Sequence, residues 1–104
     1  MYTDGQIYIG LADGRRVNMP LNMSNRHGLI AGASGTGKTI TMKAMAESFS
    51  DAGVPVFLCD VKGDVSGIAT AGVASESMDK RIDKFGIRDS FSYKACLLYT
   101  SDAA

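Results

Sequence analysis

Short apolar segments separated by turn residues occupy the first twenty positions of the chain, which is typical of β-strands joined by tight turns. Two apolar stretches, residues 7–9 and 17–19, flank the dipeptide Asp13-Gly14. An Asp-Gly pair favours a tight turn with positive φ, the kind that joins antiparallel strands. The pattern therefore predicts a β-hairpin and a polar connector over residues 1–24.

The apolar pattern changes to a helical period after a short continuous stretch at residues 28–31. That stretch reads as a buried strand leading into a glycine-rich loop, and a helix is predicted from about residue 38 to 50. One face of this helix carries a stripe of small and apolar residues at helical spacing, namely Thr41, Ala44, Met45, Ser48 and Phe49. Gly53 follows the helix, where a C-terminal glycine is expected.

The segment 54–59 is apolar on both faces, which is typical of a strand buried inside a parallel sheet. Strand, helix and strand in this order predict a βαβ unit with a right-handed crossover. Residues 62–75 are rich in Gly, Ala and Ser and are predicted to form a loop. Ser75 is expected to cap a last helix over residues 76–85, which Gly86 ends.

Composition places the chain among packed single-domain proteins. It has 104 residues, 45% of them hydrophobic, with 11 basic and 11 acidic side chains and no formal net charge. A balanced charge supplies no argument for nucleic acid or an anionic membrane as partner. The sequence shows no apolar run of the ~20 residues that a membrane helix needs, no signal peptide and only two cysteines. These features predict a reduced, cytoplasmic protein that does not contact the membrane.

The strongest chemical signal is the match of residues 32–39 to the phosphate-binding pattern GxxxxGK[ST]. Gly35 and Gly37 allow backbone amides to surround a phosphate, and the following helix directs its positive end at the same anion. Lys38 is predicted to reach the β- and γ-phosphates, and the Thr39 hydroxyl to ligate Mg²⁺. The alternative is an ordinary glycine-rich turn between strand and helix. The predicted nucleotide-binding residues are Gly32, Ala33, Ser34, Gly35, Thr36, Gly37, Lys38 and Thr39.

A second polar motif, residues 60–64 (DVKGD), follows the predicted strand 54–59. Its position at the carboxyl end of a strand directs it towards the phosphate loop. Asp60 could ligate the metal, could belong to a DxxG element of GTPases, or could position the loop, and we favour positioning. The GTPase interpretation is weak because the sequence has no NKxD motif. Asp60 and Asp64 are the candidate catalytic acids. Cys59 is predicted to be an inert core residue, and His27 to have a packing or hydrogen-bonded role rather than a catalytic one.

The run from residue 25 to 69, which contains RHGLI before the loop and DVKGD after the strand, resembles bacterial ATPases of the HerA-like helicase and translocase group. The likeness is to the branch with a HerA-like carboxyl-terminal helicase domain. It implies an α/β fold of the P-loop NTPase type (RecA-like, additional-strand class), here with an incomplete parallel sheet and an N-terminal β-hairpin. It also implies ATP with Mg²⁺ as ligand, a homo-hexamer in the full-length protein, and DNA as a possible substrate.

The resemblance also implies features that this sequence does not contain. Family members have a hydrophobic strand ending in Asp-Glu, a sensor residue and an arginine finger, and none of these follows Asp64 here. We therefore expect residues 25–95 to be the first part of an ATPase domain that binds nucleotide without hydrolysing it, although the parent protein is an ATPase. The alternatives are a non-catalytic nucleotide-binding module and, with less support, a P-loop kinase or GTPase.

Residues 96–104 (CLLYTSDAA) interrupt the family pattern. The segment resembles the translation of a transposase sequencing adapter, and we interpret it as an artefact outside the domain. The alternative is a buried strand over residues 95–100.

Overall fold

The computed structural model describes residues 1–59 and 71–87. The chain divides into two compact units, Met1–Phe57 and Leu58–Ala104, and each is described by itself.

The first unit contains a three-stranded antiparallel sheet in the order β1-β2-β3, with β1 at Tyr2–Thr3, β2 at Gln6–Ala12 and β3 at Arg15–Pro20. Asp13 and Gly14 connect β2 to β3 with φ of 51° and 75°. Positive φ at both central residues is the type I′ conformation that suits the right-handed twist of a hairpin. The predicted hairpin is therefore confirmed.

β1 was not predicted, although the sequence carries its signal. Asp4-Gly5 repeats the dipeptide of the second turn and adopts the same φ values, 51° and 75°. It turns the chain so that Tyr2 pairs with Ile7. The short strand β1 thus depends on an Asp-Gly turn with positive φ, as does the hairpin that follows it.

The β2–β3 ladder contains an irregularity that decides which side chains are buried. Tyr8 pairs with Asn18 and Gly10 with Val17, so Ile9 is an extra residue in β2. Such a bulge shifts the alternation of the two faces. Ile7, which pairs with Met19 before the bulge, is completely buried, whereas Ile9 is 38% exposed.

After a 3₁₀ turn at Leu21–Met23, the first unit ends in helix α1 (Lys38–Asp51), which packs against β1 and β2. Its bounds match the prediction to within a residue. Its buried positions are Ala46 and Ser48, while the predicted Ala44 is exposed. Ala46 lies about 200° around the helix axis from both Ala44 and Ser48, so burial on α1 is not confined to the predicted stripe.

The C-terminus of α1 is capped at Gly53, as the sequence predicts. The Gly53 amide donates to the Ser50 carbonyl at 3.0 Å, and the Val54 amide donates to the Phe49 carbonyl at 2.9 Å. These two bonds form a Schellman motif, which satisfies carbonyls that the helix leaves without partners.

The two predicted core strands, residues 28–31 and 54–59, have no regular secondary structure in the described residues. Leu29 is 90% exposed and Phe57 is 88% exposed, so neither segment is covered. A strand needs a hydrogen-bonded neighbour, and these segments have none within residues 1–59 and 71–87. Those two element predictions are therefore wrong for the described structure, and the P-loop fold class stays a prediction.

In the second unit, α2 (Glu76–Lys84) confirms the last predicted helix, although it ends one residue earlier. The Met78 amide donates to the Ser75 hydroxyl at 3.2 Å, as expected for an N-cap. Ile82 is buried in this unit. Lys80 and Glu76 form an exposed ion pair at 3.4 Å. Among the described residues, no helix is both long and apolar enough to cross a membrane.

Candidate functional site

The predicted phosphate loop, residues 32–39, lies between the segment 28–31 and the first turn of α1. Residues 32–37 have no regular secondary structure and are exposed, whereas Lys38 and Thr39 are half-buried where the helix begins. The loop is therefore open to solvent along its length and tied to the first unit through α1. A ligand could reach every backbone amide in it.

Two glycines give the loop its shape. Gly35 has a φ of 79° and Gly37 a φ of 98°, in the left-handed region that residues with a Cβ rarely adopt. Gly37 is also the N-cap of α1, and no side chain caps this helix end. The first intrahelical bond runs from the Thr41 amide to the Gly37 carbonyl at 2.9 Å.

The first turn of α1 therefore presents free amide groups to the loop. The amides before Thr41 have no acceptor within the helix, and this turn contains no acidic residue. Amides at a helix N-terminus carry partial positive charge and favour an anion. The sequence thus leaves this helix end without the cap that Ser75 supplies to α2.

The carbonyl of Ala33 is the centre of the loop's hydrogen bonding. It accepts from the Thr36 amide at 3.3 Å and from the Thr36 hydroxyl at 2.6 Å, which closes the turn 33–36. It also accepts from Lys38 Nζ at 2.8 Å. The lysine side chain therefore folds back from the helix onto the loop, and its ammonium group lies beside the backbone that the pattern assigns to phosphate binding.

Gly32 is the first residue of the pattern, and there is no room for a Cβ atom at its position. Its φ is not among the positive values in the chain. A Cβ at this position would lie 2.5 Å from Thr36 Oγ1 and 3.5 Å from Lys38 Cγ. Any larger residue would therefore have to displace the side chain that closes the turn.

The residues present fit a nucleotide-bound magnesium ion rather than a metal held by the protein alone. The Thr39 hydroxyl has no hydrogen-bond partner among the described residues, and it is the type of hard oxygen that Mg²⁺ accepts. Residues 1–59 and 71–87 contain no cluster of three or more His, Cys, Asp or Glu side chains. Mg²⁺ is usually bound through one or two protein oxygens together with substrate phosphates, and one hydroxyl satisfies that requirement.

The remaining candidates do not join this site in the described structure. Asp60 and Asp64 lie outside the described residues, and their assignments stay predictions. Cys59 is exposed, so the prediction of a core residue is wrong, and His27 is exposed, which does not support its packing role. The reason is that the strands expected to bury them have no covering partner.

Thr36 is among the predicted nucleotide-binding residues, but its role in closing the turn 33–36 was not predicted, because the pattern treats its position as variable. A hydroxyl residue three positions after Ala33, inside a tight turn, was the available signal, since Ser and Thr hydroxyls often bond to nearby backbone groups.

Comparison with known proteins relates this loop to one family. The profile described as helicase HerA-like C-terminal matches residues 8–100, a range that includes most of the hairpin, the whole loop and α1, and reaches into residues 96–104. The DNA double-strand break repair helicase HerA of Saccharolobus solfataricus is 36% identical over 63 residues, which cover 59% of this chain and 13% of the helicase. No solved structure matches the chain. With nearly all of its length inside the matched range, the chain belongs to the helicase HerA-like C-terminal family.

Proposed function

We propose that residues 32–39 bind the phosphates of Mg·ATP and that this chain is the nucleotide-binding part of a HerA-like ATPase motor. The observation that supports this proposal most is the position of Lys38, whose ammonium lies 2.8 Å from the Ala33 carbonyl and so covers the loop. Family membership supports the same function, because the matched range includes the whole loop.

The chemistry of binding follows from three groups of the chain. The free amides at the start of α1 donate hydrogen bonds to a phosphate oxygen. Lys38 has three N–H donors, so it can keep its bond to the Ala33 carbonyl and also donate a charge-assisted hydrogen bond to a phosphate oxygen. Thr39 would hold the Mg²⁺ that neutralises the β- and γ-phosphates of a bound nucleotide.

The activity of the whole protein is part of the proposal. The matched relative is a DNA double-strand break repair helicase, and this chain spans 13% of its length. We propose that the full-length protein is a homo-hexameric motor acting on DNA, and that ATP rather than GTP is its ligand. Residues that orient the attacking water and stabilise the transferring phosphoryl group are needed in addition for hydrolysis.

Replacing Lys38 with Ala tests the binding proposal. The variant loses a charge-assisted hydrogen bond of about 1.5–3 kcal/mol, so the affinity for Mg·ATP falls roughly 10- to 150-fold. Isothermal titration calorimetry measures the affinity, with Mg·GTP as a parallel ligand. The thermal stability of the ligand-free protein stays close to that of the parent because the Lys38 side chain contacts only the exposed loop.

Lys43→Ala is the matched control, since it removes the same charge from the same helix more than one turn away from the loop. Its affinity is expected to stay within about twofold of the parent. Equal affinity of the parent and Lys38→Ala for Mg·ATP would contradict the proposal. A phosphate-release assay on the same samples separates binding from hydrolysis, and we expect no turnover from this chain alone.

A further inference from the structure

We propose that Thr36 is a positioning residue of the phosphate loop, acting through the Ala33 carbonyl on Lys38, and that Gly32 is needed to leave room for its hydroxyl. This inference rests on the proposed function where it concerns affinity. Its structural part concerns the ligand-free loop and stands independently.

The geometry begins with the shared acceptor. A carbonyl oxygen has two lone pairs, and the two short hydrogen bonds to Ala33 come from the Thr36 hydroxyl at 2.6 Å and Lys38 Nζ at 2.8 Å. The Thr36 amide approaches the same oxygen at 3.3 Å, which is longer than an ideal bond. The hydroxyl is thus the stronger closure of the turn 33–36, and it orients the carbonyl to which Lys38 binds.

Gly32 contributes by lacking a side chain. A Cβ there would lie 2.5 Å from Thr36 Oγ1 and 3.4 Å from Thr36 Cβ. The second distance is ordinary contact, so the clash concerns the hydroxyl alone. Thr36 can relieve it only by rotating about χ1, and this rotation breaks the hydrogen bond to Ala33. Gly32→Ala is therefore expected to have the same effect as removal of the hydroxyl.

A double-mutant cycle tests this coupling in the 104-residue chain. Thr36→Ala and Gly32→Ala are each expected to weaken Mg·ATP binding about 3- to 10-fold, the effect of losing one neutral hydrogen bond. In the double variant the hydroxyl is already absent, so the added Cβ has nothing to displace. The double variant is expected to lose no more affinity than either single variant, whereas independent effects would multiply.

Two further variants distinguish positioning from a general loss of structure. Thr36→Ser keeps the hydroxyl and is expected to retain the parent's affinity. Gly28→Ala adds a Cβ where no atom lies within 4 Å, and it is expected to leave affinity unchanged. All variants should unfold at nearly the parent's temperature because residues 32–37 are exposed. A uniform loss of stability across the variants would overturn the positioning role.

A ligand-free measurement separates this inference from the function on which it partly rests. Three-bond NMR couplings of the Thr36 methyl carbon report χ1, and we expect one rotamer in the parent and Gly28→Ala and a changed or averaged rotamer in Gly32→Ala. If χ1 responds in this way but the parent does not bind Mg·ATP, the proposed function fails and the turn geometry stands. If χ1 of Thr36 is averaged in the parent, or unchanged in Gly32→Ala, the inference is wrong.

Discussion

At the scale of single residues, burial in the first unit is concentrated in very few side chains. Ile7 and Ser48 are almost completely enclosed, at 0% and 1% exposure. Ser48 is tolerated there because its hydroxyl donates to the Ala44 carbonyl at 2.7 Å and accepts from the Met1 amino group. A buried hydroxyl with both kinds of partner avoids the cost of an unsatisfied polar group. The contribution of fully buried apolar side chains to the stability of the first unit therefore depends largely on Ile7.

Replacing Ile7 with Ala tests that dependence. The loss of a fully buried aliphatic side chain is expected to lower the free energy of unfolding by about 2–4 kcal/mol. Ile9→Ala is the matched control, because Ile9 lies in the same strand but at the bulge, 38% exposed. It should cost less than about 1 kcal/mol. Urea denaturation followed by circular dichroism measures both, and equal losses would contradict the register described here.

Also at this scale, the loop shows how far a sequence pattern can predict a site. Gly37 and Lys38 are fixed residues of the pattern, whereas Gly35 stands at one of its variable positions; both glycines have positive φ. The contribution of Ala33 comes from a backbone carbonyl, which no residue identity reveals. It emerges only when the turn brings Thr36 and Lys38 to the same oxygen.

At the scale of elements, the two helices differ in how they begin. α2 has a side-chain cap at Ser75 and acidic residues in its first turn, Glu76 and Asp79. α1 begins at Gly37 with neither feature. In a helix with a side-chain cap and acidic residues in its first turn, the N-terminal amides have partners within the protein. In a helix without them, these amides are free to bind an external anion. This contrast agrees with a structural α2 and a ligand-binding α1.

Replacing Ser75 with Ala tests the cap of α2. The loss of the hydrogen bond to the Met78 amide is expected to destabilise the helix by about 1 kcal/mol. Hydrogen exchange at the Met78 amide should become faster, while exchange in α1 should not change. Ser75→Asp is the control, since aspartate also caps helices and is expected to preserve protection. Unchanged exchange in Ser75→Ala would show that Ser75 does not cap the helix in solution.

At the scale of the whole chain, the exposed apolar residues are the main physical problem. Leu29 and Phe57 are about nine-tenths exposed, at 90% and 88%, and both lie in segments without regular secondary structure. Apolar segments with free backbone groups readily pair with other chains. We therefore expect the chain by itself to associate with further copies at high concentration.

Replacing Leu29 with Ser tests this expectation. Leu29 contributes little buried surface, so the free energy of unfolding of the variant should differ from that of the parent by less than about 0.5 kcal/mol. Self-association of the variant should decrease. Sedimentation velocity over a range of concentrations measures the association. Leu11→Ser is the comparison, since Leu11 is only 38% exposed in β2 and its replacement should lower the free energy of unfolding by up to about 1 kcal/mol, more than Leu29→Ser does. A large loss of stability in Leu29→Ser would mean that the segment 28–31 is covered in solution.

The sequence by itself determined the elements whose causes lie within a few residues. Asp13-Gly14 specifies its turn through positive φ, and Gly53 ends α1 through two local hydrogen bonds. Ser75 begins α2 through its hydroxyl. The same holds for the loop glycines and for the start of α1 at Lys38. In each case the stabilising partner is a near neighbour in the chain, so residue type and spacing are sufficient.

The tertiary structure decided everything that depends on a distant partner. Ala46, outside the predicted stripe, is buried on α1, whereas Ala44 within the stripe is exposed. Residues 28–31 and 54–59 have strand-like composition but form no strand among the described residues, since a strand exists only with a hydrogen-bonded neighbour. Cys59 is exposed for the same reason. Burial and strand pairing each depend on two segments that contact one another, whereas the composition of a segment describes that segment alone.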